Sequence, residues 1–288
     1  MVKVSVIIPA YNAAKFIAET IRSVQAQSIS DWEMIIVNDG SKDETTSIVR
    51  TFLTDTRIKL LDQKNAGVST ARNSGLAVSK GEFVALLDAD DIFLPENLAR
   101  KIAVLEKNNV AMWAFSNLEY IDESSKRIGK TTNGKGEEIL DSILRWEGEV
   151  VPGPCSNVVF RRKILEDGVQ FDPQFSTAAD QDFCIQLAGK YSAVFLPEVL
   201  AQYRQLATSM SRNITVMEKD HIGVYRKASA NGSFRSGSFR RKCFSNLYLI
   251  LAGSWWVNGN NKLRGMRFLV KTIFTYPPNI TKILRKFR

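Results

Sequence analysis

The chain has 288 residues, a formal net charge of +9 and a hydrophobic fraction of 44%. That apolar share is enough to build a packed core, so the composition excludes an intrinsically disordered chain. Cys155, Cys184 and Cys243 lie far apart and form no Cys-x-x-Cys pair. Their spacing disfavours a disulfide framework and a zinc site, and it indicates a reducing compartment.

The first half of the chain alternates apolar, β-branched runs with segments of helical periodicity. The pattern predicts strands over residues 2–9, 32–38, 58–61, 83–87 and 111–120, and helices over residues 13–27, 44–53, 67–79 and 95–108. Strands that alternate with helices of this length are typical of βαβ units. We therefore predict an α/β fold with a single, mostly parallel sheet flanked by helices.

The second half is less regular. Residues 121–150 are polar and predict a hairpin or a loop, and residues 150–160 are expected to return to the sheet. A short helix is predicted over residues 161–165, a longer one over 180–188, and a strand over 196–204. Beyond about residue 212 the pattern becomes helical and basic. We therefore divide the chain into residues 1–212 and a C-terminal region, residues 213–288.

The strand predicted over residues 83–87 ends abruptly in three carboxylates, Asp88, Asp90 and Asp91. Charges at the carboxyl end of a buried parallel strand point into the crevice where open α/β sheets bind ligands. Two carboxylates at positions i and i+2 can hold magnesium or manganese, which commonly bridges to phosphate. The alternative is a solvated turn in which Asp91 or a neighbour caps the helix near Pro95.

Three further polar groups follow strands or begin a helix near the same edge. Tyr11 can stack on a nucleotide base, or it is an ordinary loop aromatic. Asp39 can accept a hydrogen bond from a base imide, or it makes an Asx turn with Gly40 and Ser41. Arg72 lies at a helix start, where the macrodipole disfavours a cation, so its position favours a partner such as a phosphate or a base carbonyl.

A second acidic group, Asp180, begins the helix over residues 180–188. It either caps that helix or faces the crevice near Asp90, where it can act as a general base for an oxygen nucleophile. His221 is the only histidine and lies in the basic region, so we do not choose a histidine as the base. The chain has no Gly-x-Gly-x-x-Gly motif, which disfavours a dinucleotide-dependent dehydrogenase. Residues 129–136 nearly match a P-loop, but Gly136 stands where Ser or Thr should bind magnesium.

Four blocks in register, VSVIIPAYN (4–12), VNDGSKD (37–43), NAGVSTARN (65–73) and LDADD (87–91), resemble family 2 glycosyltransferases with the GT-A fold. The resemblance covers roughly residues 1–210. It implies a GT-A catalytic domain over residues 1–212 and a nucleotide-sugar donor, usually a UDP-sugar, bound with Mg²⁺ or Mn²⁺. By resemblance, Pro9, Tyr11 and Asp39 line the uracil and ribose pocket with Arg72 nearby, Asp88 lies near the ribose or sugar, and Asp90 ligates the metal.

The resemblance also implies an inverting reaction in which Asp180 takes the proton from an acceptor hydroxyl. The family commonly places Glu-Asp at this position, and the chain has Ala179-Asp180 instead. Tyr203-Arg204 resembles a later motif whose arginine reaches the diphosphate, without the histidine that often follows nearby. The Gln-x-x-Arg-Trp motif of processive synthases is absent, so we expect transfer of a single sugar.

The C-terminal part of the chain is wholly basic. Residues 221–288 hold 14 Lys and Arg and no Asp or Glu, so the first 220 residues carry a net charge of −5. Apolar residues recur at helical spacing with basic residues opposite, in the sets Leu263, Met266, Leu269, Val270, Ile273 and Ile280, Ile283, Leu284, Phe287. Such helices either lie on an anionic membrane or pack their apolar faces on the main domain.

We therefore expect a cytoplasmic enzyme, peripheral on the inner face of the cell membrane, that acts on a glycan acceptor carried by a lipid. The start of the chain reads as a strand and is too short for a signal peptide. Rival interpretations are a nucleotidyltransferase that makes nucleotide sugars and a non-catalytic glycan- or lipid-binding protein with a decayed site. Nucleic-acid binding is not expected, because the basic region lacks interleaved aromatic residues.

Overall fold

The computed structural model describes residues 2–146, 148–206 and 213–286. Strands and helices alternate through its first half. The strands are β1 (Val4–Ala10), β2 (Trp32–Asn38), β3 (Ile58–Asp62), β4 (Phe83–Leu86), β5 (Ile92–Phe93), β6 (Ala111–Ile121), β7 (Arg127–Thr131), β8 (Val159–Arg161) and β9 (Ser192–Arg204). The helices are α1 (Ile17–Gln25), α2 (Thr45–Thr51), α3 (Val68–Val78), α4 (Asn97–Lys107), α5 (Ile139–Arg145), α6 (Ala179–Lys190), α7 (Ile214–Ala230), α8 (Gly237–Val257), α9 (Lys262–Thr275) and α10 (Ile280–Lys286).

The strands form one sheet in the order β3-β2-β1-β4-β8-β6-β9-β5, with β7 paired to β6. The predicted α/β class and single sheet are confirmed. The pairings β3-β2, β2-β1, β1-β4 and β6-β9 are parallel, whereas β8 is antiparallel to β4 and to β6. The sheet is therefore mixed, because β8 enters between β4 and β6 from a long connection and needs no helical crossover.

The central strands are buried on both faces, as their apolar composition predicts. Along β1, Val6 and Ile8 pack on one face with α1 and α4, and Ile7 packs on the other with α3. Each face therefore carries its own hydrophobic cluster, and helices on both sides hold the carboxyl ends of β1, β2 and β4 at one level.

The segment predicted as a hairpin or a loop contains more structure than its polar composition suggests. β7 pairs antiparallel with β6, which confirms the hairpin. The short helix α5, which buries Ile143 and Leu144 beneath α8, was not predicted from the sequence. The two-residue strand β5 was not predicted either, because its pairing with β9 joins segments far apart in the chain.

The C-terminal region begins with a helix that packs closely on the α/β part. One carboxylate oxygen of Asp220 accepts hydrogen bonds from the backbone N–H and the hydroxyl of both Ser176 and Thr177. Lys227 forms ion pairs of 2.8 Å with Asp172 and with Asp182. These contacts fix α7 against α6, while the division at residue 212 stays a prediction.

Gly75 marks the closest approach of α3 to the sheet. A Cβ atom at this position would lie 2.5 Å from Cγ2 of Ile7. We expect Gly75→Ala to lower the free energy of unfolding by about 1–3 kcal/mol, because the overpacking outweighs the better helix propensity of alanine. Denaturant titration with a linear extrapolation measures the change.

The matched control is Gly253→Ala in the interior of α8, where an added Cβ would meet nothing within 4 Å. Without overpacking, the gain in helix propensity should raise the free energy of unfolding by about 0.5–1 kcal/mol. Equal effects of the two substitutions would contradict the close packing of α3 on β1.

Candidate functional site

A cleft of about 1050 Å³ opens at the carboxyl ends of β1, β2 and β4. Ligands of open α/β sheets bind at this edge. The cleft is lined by most of the residues predicted for the site: Pro9, Tyr11, Asp39, Arg72, Asp88, Asp90 and Asp180. They come from distant parts of the chain, so the fold brings together what the sequence only suggested.

Asp39 holds the loop that follows β3. Its carboxylate accepts hydrogen bonds from the side-chain amide of Gln63 and from the backbone N–H groups of Ala66 and Gly67, at 2.7–2.9 Å. Asp39 does not bond Gly40 or Ser41 in the Asx turn that was considered, and it is Asn38 whose Oδ1 accepts from the N–H of Ser41 at 3.0 Å. A carboxylate offers about four acceptor positions, so Asp39 retains one for a ligand donor.

The loop after β1 forms the rim of the cleft. Tyr11 is half exposed there, and Pro9 is buried in β1 beneath it. Asn12 has a left-handed backbone, φ 51°, and its side-chain oxygen accepts from the N–H of Lys42 at 2.8 Å. This cross-link presents the Tyr11 ring toward the cleft, which suits stacking on a planar ligand.

Arg72 lies at the floor of the cleft with only 6% of its side chain exposed. Its Nη2 donates to Oδ1 of Asp88 at 2.6 Å, and the guanidinium lies 5.0 Å from the centroid of the Phe171 ring. The charge of Asp180 also acts on Arg72. Arg72 therefore serves as the counter-ion between two carboxylates of the site.

Asp90 and Asp91 are held from behind by Arg204, the last residue of β9. Its backbone N–H donates to Oδ1 of Asp91 at 2.8 Å, and its Nε donates to the carbonyl oxygen of Asp90 at 2.7 Å. Its remaining donors bond Glu19, Asp122 and Ser125. Arg204 is buried and does not line the cleft, so contact with a diphosphate stays a prediction. Asp91 does not cap α4, because its carboxylate is bonded to β9.

The carboxylates after β4 fit a hard divalent cation. Burial, and then the charge of Asp88, raise the pKa of Asp90 to about 6, and Oδ2 of Asp91 is buried with no bonded partner among the described residues. A cation at Asp90 would relieve this repulsion. The described residues contain no group of three or more His, Cys, Asp or Glu that could hold a metal. Magnesium commonly binds through only one or two carboxylates plus substrate phosphates.

Asp180 lies in the first turn of α6, on the wall of the cleft that faces the strand ends. Its Oδ1 accepts from the N–H of Gln181 at 2.7 Å. Burial raises the pKa of Asp180, and the Arg72 charge partly opposes the shift. A raised carboxyl pKa suits a general base, because proton transfer is most efficient when the pKa approaches the working pH.

The structure also brings His221 to the site, a residue that we did not choose as the base from the sequence. His221 of α7 lines the cleft, and its Nδ1 lies 2.8 Å from Oε1 of Gln181, next to Asp180. Burial lowers the pKa of His221 to about 4, so the ring is neutral at pH 7. No local sequence pattern predicts that His221 lies in the cleft, because only the docking of α7 on α6 brings it there.

The C-terminal helices present an exposed apolar row. α9 buries Gly265, Phe268 and Thr272, and it exposes Leu263 (78%) and Phe274 (84%). The remaining members of this exposed row are Met266, Val270, Ile280 and Leu284. The apolar side chains predicted on α9 are therefore largely outside the core, apart from the half-buried Leu269. Phe287 lies outside the described residues.

A second cavity, of about 500 Å³, lies beside the end of α9. It is lined by Arg226, Arg240 and Arg241 together with Phe244, Tyr248 and Thr275. No helix within the described ranges is long and apolar enough to cross a membrane. The C-terminal helices thus combine exposed apolar side chains with a cationic recess.

Comparison with known proteins places the site in a family context. The family described as Glycosyl transferase family 2 matches residues 5–169. An uncharacterized glycosyltransferase of Nostoc is 35% identical over 70% of this chain and 64% of its own length. A Rickettsia bellii glycosyltransferase is 37% identical over 46% of this chain, and the match covers only 19% of its length. The chain therefore spans less than two thirds of these first relatives.

A more complete match is the Escherichia coli protein WfgD, a UDP-Glc:alpha-D-GlcNAc-diphosphoundecaprenol beta-1,3-glucosyltransferase. It is 40% identical over 73% of this chain and 80% of its own length. Among solved structures, S. aureus TarS with UDP-GlcNAc gives a TM-score of 0.66 at 18% identity, covering 99% of this chain and 92% of that one. A Pyrobaculum calidifontis mannosyltransferase with GDP-Man and Mn²⁺ gives 0.65 at 16%, covering 99% and 81%. These likenesses confirm the predicted GT-A fold.

The buried neutral His221 makes stability depend on pH. Unfolded histidine binds a proton below about pH 6.5, whereas the folded ring stays neutral down to about pH 4. As the pH falls from about 6.5 to about 4, protonation of the unfolded histidine should therefore lower the free energy of unfolding. The loss is about 1.4 kcal/mol per pH unit and about 3 kcal/mol in all. We expect the difference between wild type and His221→Gln, measured by urea titration, to change over this window and stay constant above pH 7.5. A difference that is independent of pH would contradict the burial of a neutral ring.

Proposed function

The chain belongs to glycosyl transferase family 2, and on that premise we propose that it transfers one sugar from a nucleotide-sugar donor to an acceptor hydroxyl, inverting the anomeric carbon. The observation that carries the proposal is the single cleft that joins Asp90 to Asp180 through Arg72 and Asp88. A site that held the nucleotide alone would not need a buried carboxylate of raised pKa on the opposite wall.

We propose a UDP-sugar as the donor. Support comes from the WfgD relative, whose name specifies UDP-Glc, and from the shape of the donor wall, the part of the cleft formed by the loops after β1, β2 and β3. There, Tyr11 offers a ring for the base, and Asp39 offers a carboxylate acceptor to an imide N–H. Asp88 and Arg72 lie deeper in the cleft, where the ribose and the sugar would follow.

Asp180 acts as the general base of the transfer. It takes the proton of the acceptor hydroxyl as that oxygen forms a bond to the anomeric carbon. The bond from the anomeric carbon to the diphosphate oxygen breaks on the opposite face, and the electron pair leaves with the nucleoside diphosphate. The charge of Arg72 opposes the rise in the pKa of Asp180 that its burial causes. The protein otherwise positions the two substrates and excludes water.

Asp90 is the residue we assign to hold Mg²⁺ or Mn²⁺, with Asp88 beside it. When bound, the ion neutralises charge on the departing diphosphate. Arg204 braces the segment that carries Asp90, through the backbone carbonyl of Asp90 and the side chain of Asp91. Its role in the proposal is to position the carboxylates from behind.

We propose a lipid-linked glycan as the acceptor, met at the inner face of the cell membrane during cell-surface polysaccharide assembly. The WfgD relative is named for a sugar diphosphate on undecaprenol. The exposed apolar row can enter the interface between headgroups and acyl chains, and the recess around Arg240 and Arg241 suits anionic headgroups. The enzyme would then collect its acceptor from the surface on which it lies.

The donor site is tested by calorimetric titration of UDP and GDP, with and without Mn²⁺. We expect manganese-dependent UDP binding that weakens at least about tenfold in Asp90→Ala, about 1.4 kcal/mol. The matched control is Asp180→Asn, which should bind UDP as wild type does. Wild type that binds neither nucleotide under any condition would favour a non-catalytic protein with a decayed site.

The base is tested by the pH dependence of sugar transfer. Because Asp180 works deprotonated, kcat/KM should rise with pH through a pKa above the ordinary carboxyl range. Asp180→Asn should reduce transfer by about 10²-fold or more and abolish this limb. An unchanged acid limb in the variant would assign the base elsewhere.

Membrane docking is tested by co-sedimentation with vesicles of phosphatidylglycerol and phosphatidylcholine. We expect Leu263→Ser with Phe274→Ser to weaken binding at least about tenfold, because both apolar side chains leave the interface. The control is Val110→Ser, which changes an equally exposed apolar side chain before β6 (77%). Binding to pure phosphatidylcholine that resists salt would contradict the part assigned to the arginines.

A further inference from the structure

The wall opposite the donor wall contains a cluster that the proposed reaction has not used. It consists of Trp146, which follows α5, Gln181 in the first turn of α6, and His221 in α7. The rings of Trp146 and His221 meet edge to face, with centroids 4.7 Å apart. Gln181 bonds the His221 ring and adjoins Asp180 in sequence. The cluster therefore lies beside the proposed base.

Trp146 adopts a backbone conformation that a bulky side chain rarely takes. Its φ is 56° and its ψ is 53°, in the left-handed region. Such conformations are unfavourable for residues with a Cβ atom and persist where the surroundings or a function require them. Here the conformation ends α5 and leaves the indole half-buried on the wall of the cleft.

His221 contributes a polar atom with an open position. Only 8% of the residue is exposed, and the ring is neutral at pH 7. With Nδ1–H donating to Oε1 of Gln181, the other nitrogen, Nε2, carries a lone pair. No residue in the described ranges bonds Nε2. His221 lines the cleft, so this unbonded acceptor is available to a ligand that brings a hydroxyl.

The chemistry of the cluster selects the kind of ligand. An indole, an amide and a neutral imidazole carry no net charge, so they offer little to a phosphate. A pyranose ring matches them, because its C–H groups pack on an aromatic ring and its hydroxyls both donate and accept hydrogen bonds. Pockets that combine an aromatic surface with a few placed polar groups orient such small ligands.

We propose that Trp146, Gln181 and His221 form the subsite of the acceptor sugar, a claim that rests on the proposed function. The pyranose lies against the indole, and one of its hydroxyls donates to Nε2 of His221. A neighbouring hydroxyl of the same ring then faces Asp180. His221 thereby selects which hydroxyl is presented to the base.

The experiment measures transfer from UDP-glucose to a GlcNAc-α-diphosphate that carries a short alkyl chain, together with acceptor-free hydrolysis of the donor. We expect His221→Ala to raise the KM for the acceptor at least about tenfold. The KM for the donor and the rate of hydrolysis should stay within about twofold of wild type. His221→Gln, which keeps a polar group near the position of Nε2, should recover part of the acceptor affinity.

A matched control separates this role from a loosened helix. Lys227→Gln removes the ion pairs of α7 with Asp172 and Asp182, away from the cleft. It should lower thermal stability and leave the KM for the acceptor unchanged. An unchanged acceptor KM in His221→Ala, or an equal rise in Lys227→Gln, would overturn the subsite. Failure of the wild type to use this acceptor while it hydrolyses the donor would overturn it too, whereas loss of UDP binding would instead defeat the proposed function.

Discussion

The site depends on keeping three carboxylates within four residues, at the end of a buried strand, without losing the fold. The charge of Asp88 acts on Asp90 and Asp91, and burial disfavours the charged forms of Asp90 and Asp91. Arg72 compensates from the floor of the cleft, and Arg204 compensates from behind through Asp91 and the backbone of Asp90. The two arginines come from opposite ends of the α/β part, so the motif is stable only when both halves of the sheet are assembled.

The parallel and antiparallel parts of the sheet form opposite walls of the cleft. The parallel half, β3-β2-β1-β4, places loops at one level and builds the donor wall. β8 then enters antiparallel to β4 and β6, and the chain around it brings α5 and α6 to face that wall. The proposed nucleotide site and the proposed base therefore lie against one continuous sheet, and the charges of Asp88 and Asp180 both act on Arg72 between them.

Most of the donor wall could be predicted from the sequence, because its residues follow strands that are recognisable as apolar runs. Pro9, Tyr11 and Asp39 each lie at the end of such a run or directly after it. The facing wall could not be predicted in this way. The position of Trp146 depends on the backbone conformation that ends α5. The position of His221 depends on the docking of α7 through Asp220. The resemblance implies that Arg204 reaches the diphosphate, which stays a prediction, and its side-chain donors bond groups more than 70 residues away in the chain. Local patterns carry no information about such long-range partners.

The anchoring of α7 has a consequence for the order in which this protein matures during synthesis. The carboxylate that bonds Ser176 and Thr177, just before α6 and Asp180, belongs to Asp220, well after the last strand. A ribosome-bound chain that has emerged only as far as β9 already has every strand of its sheet. It still lacks the helix that braces its base. In terms of the proposed function, a nascent chain of this length would have the loops of the donor wall but not the contacts that hold the proposed base in place.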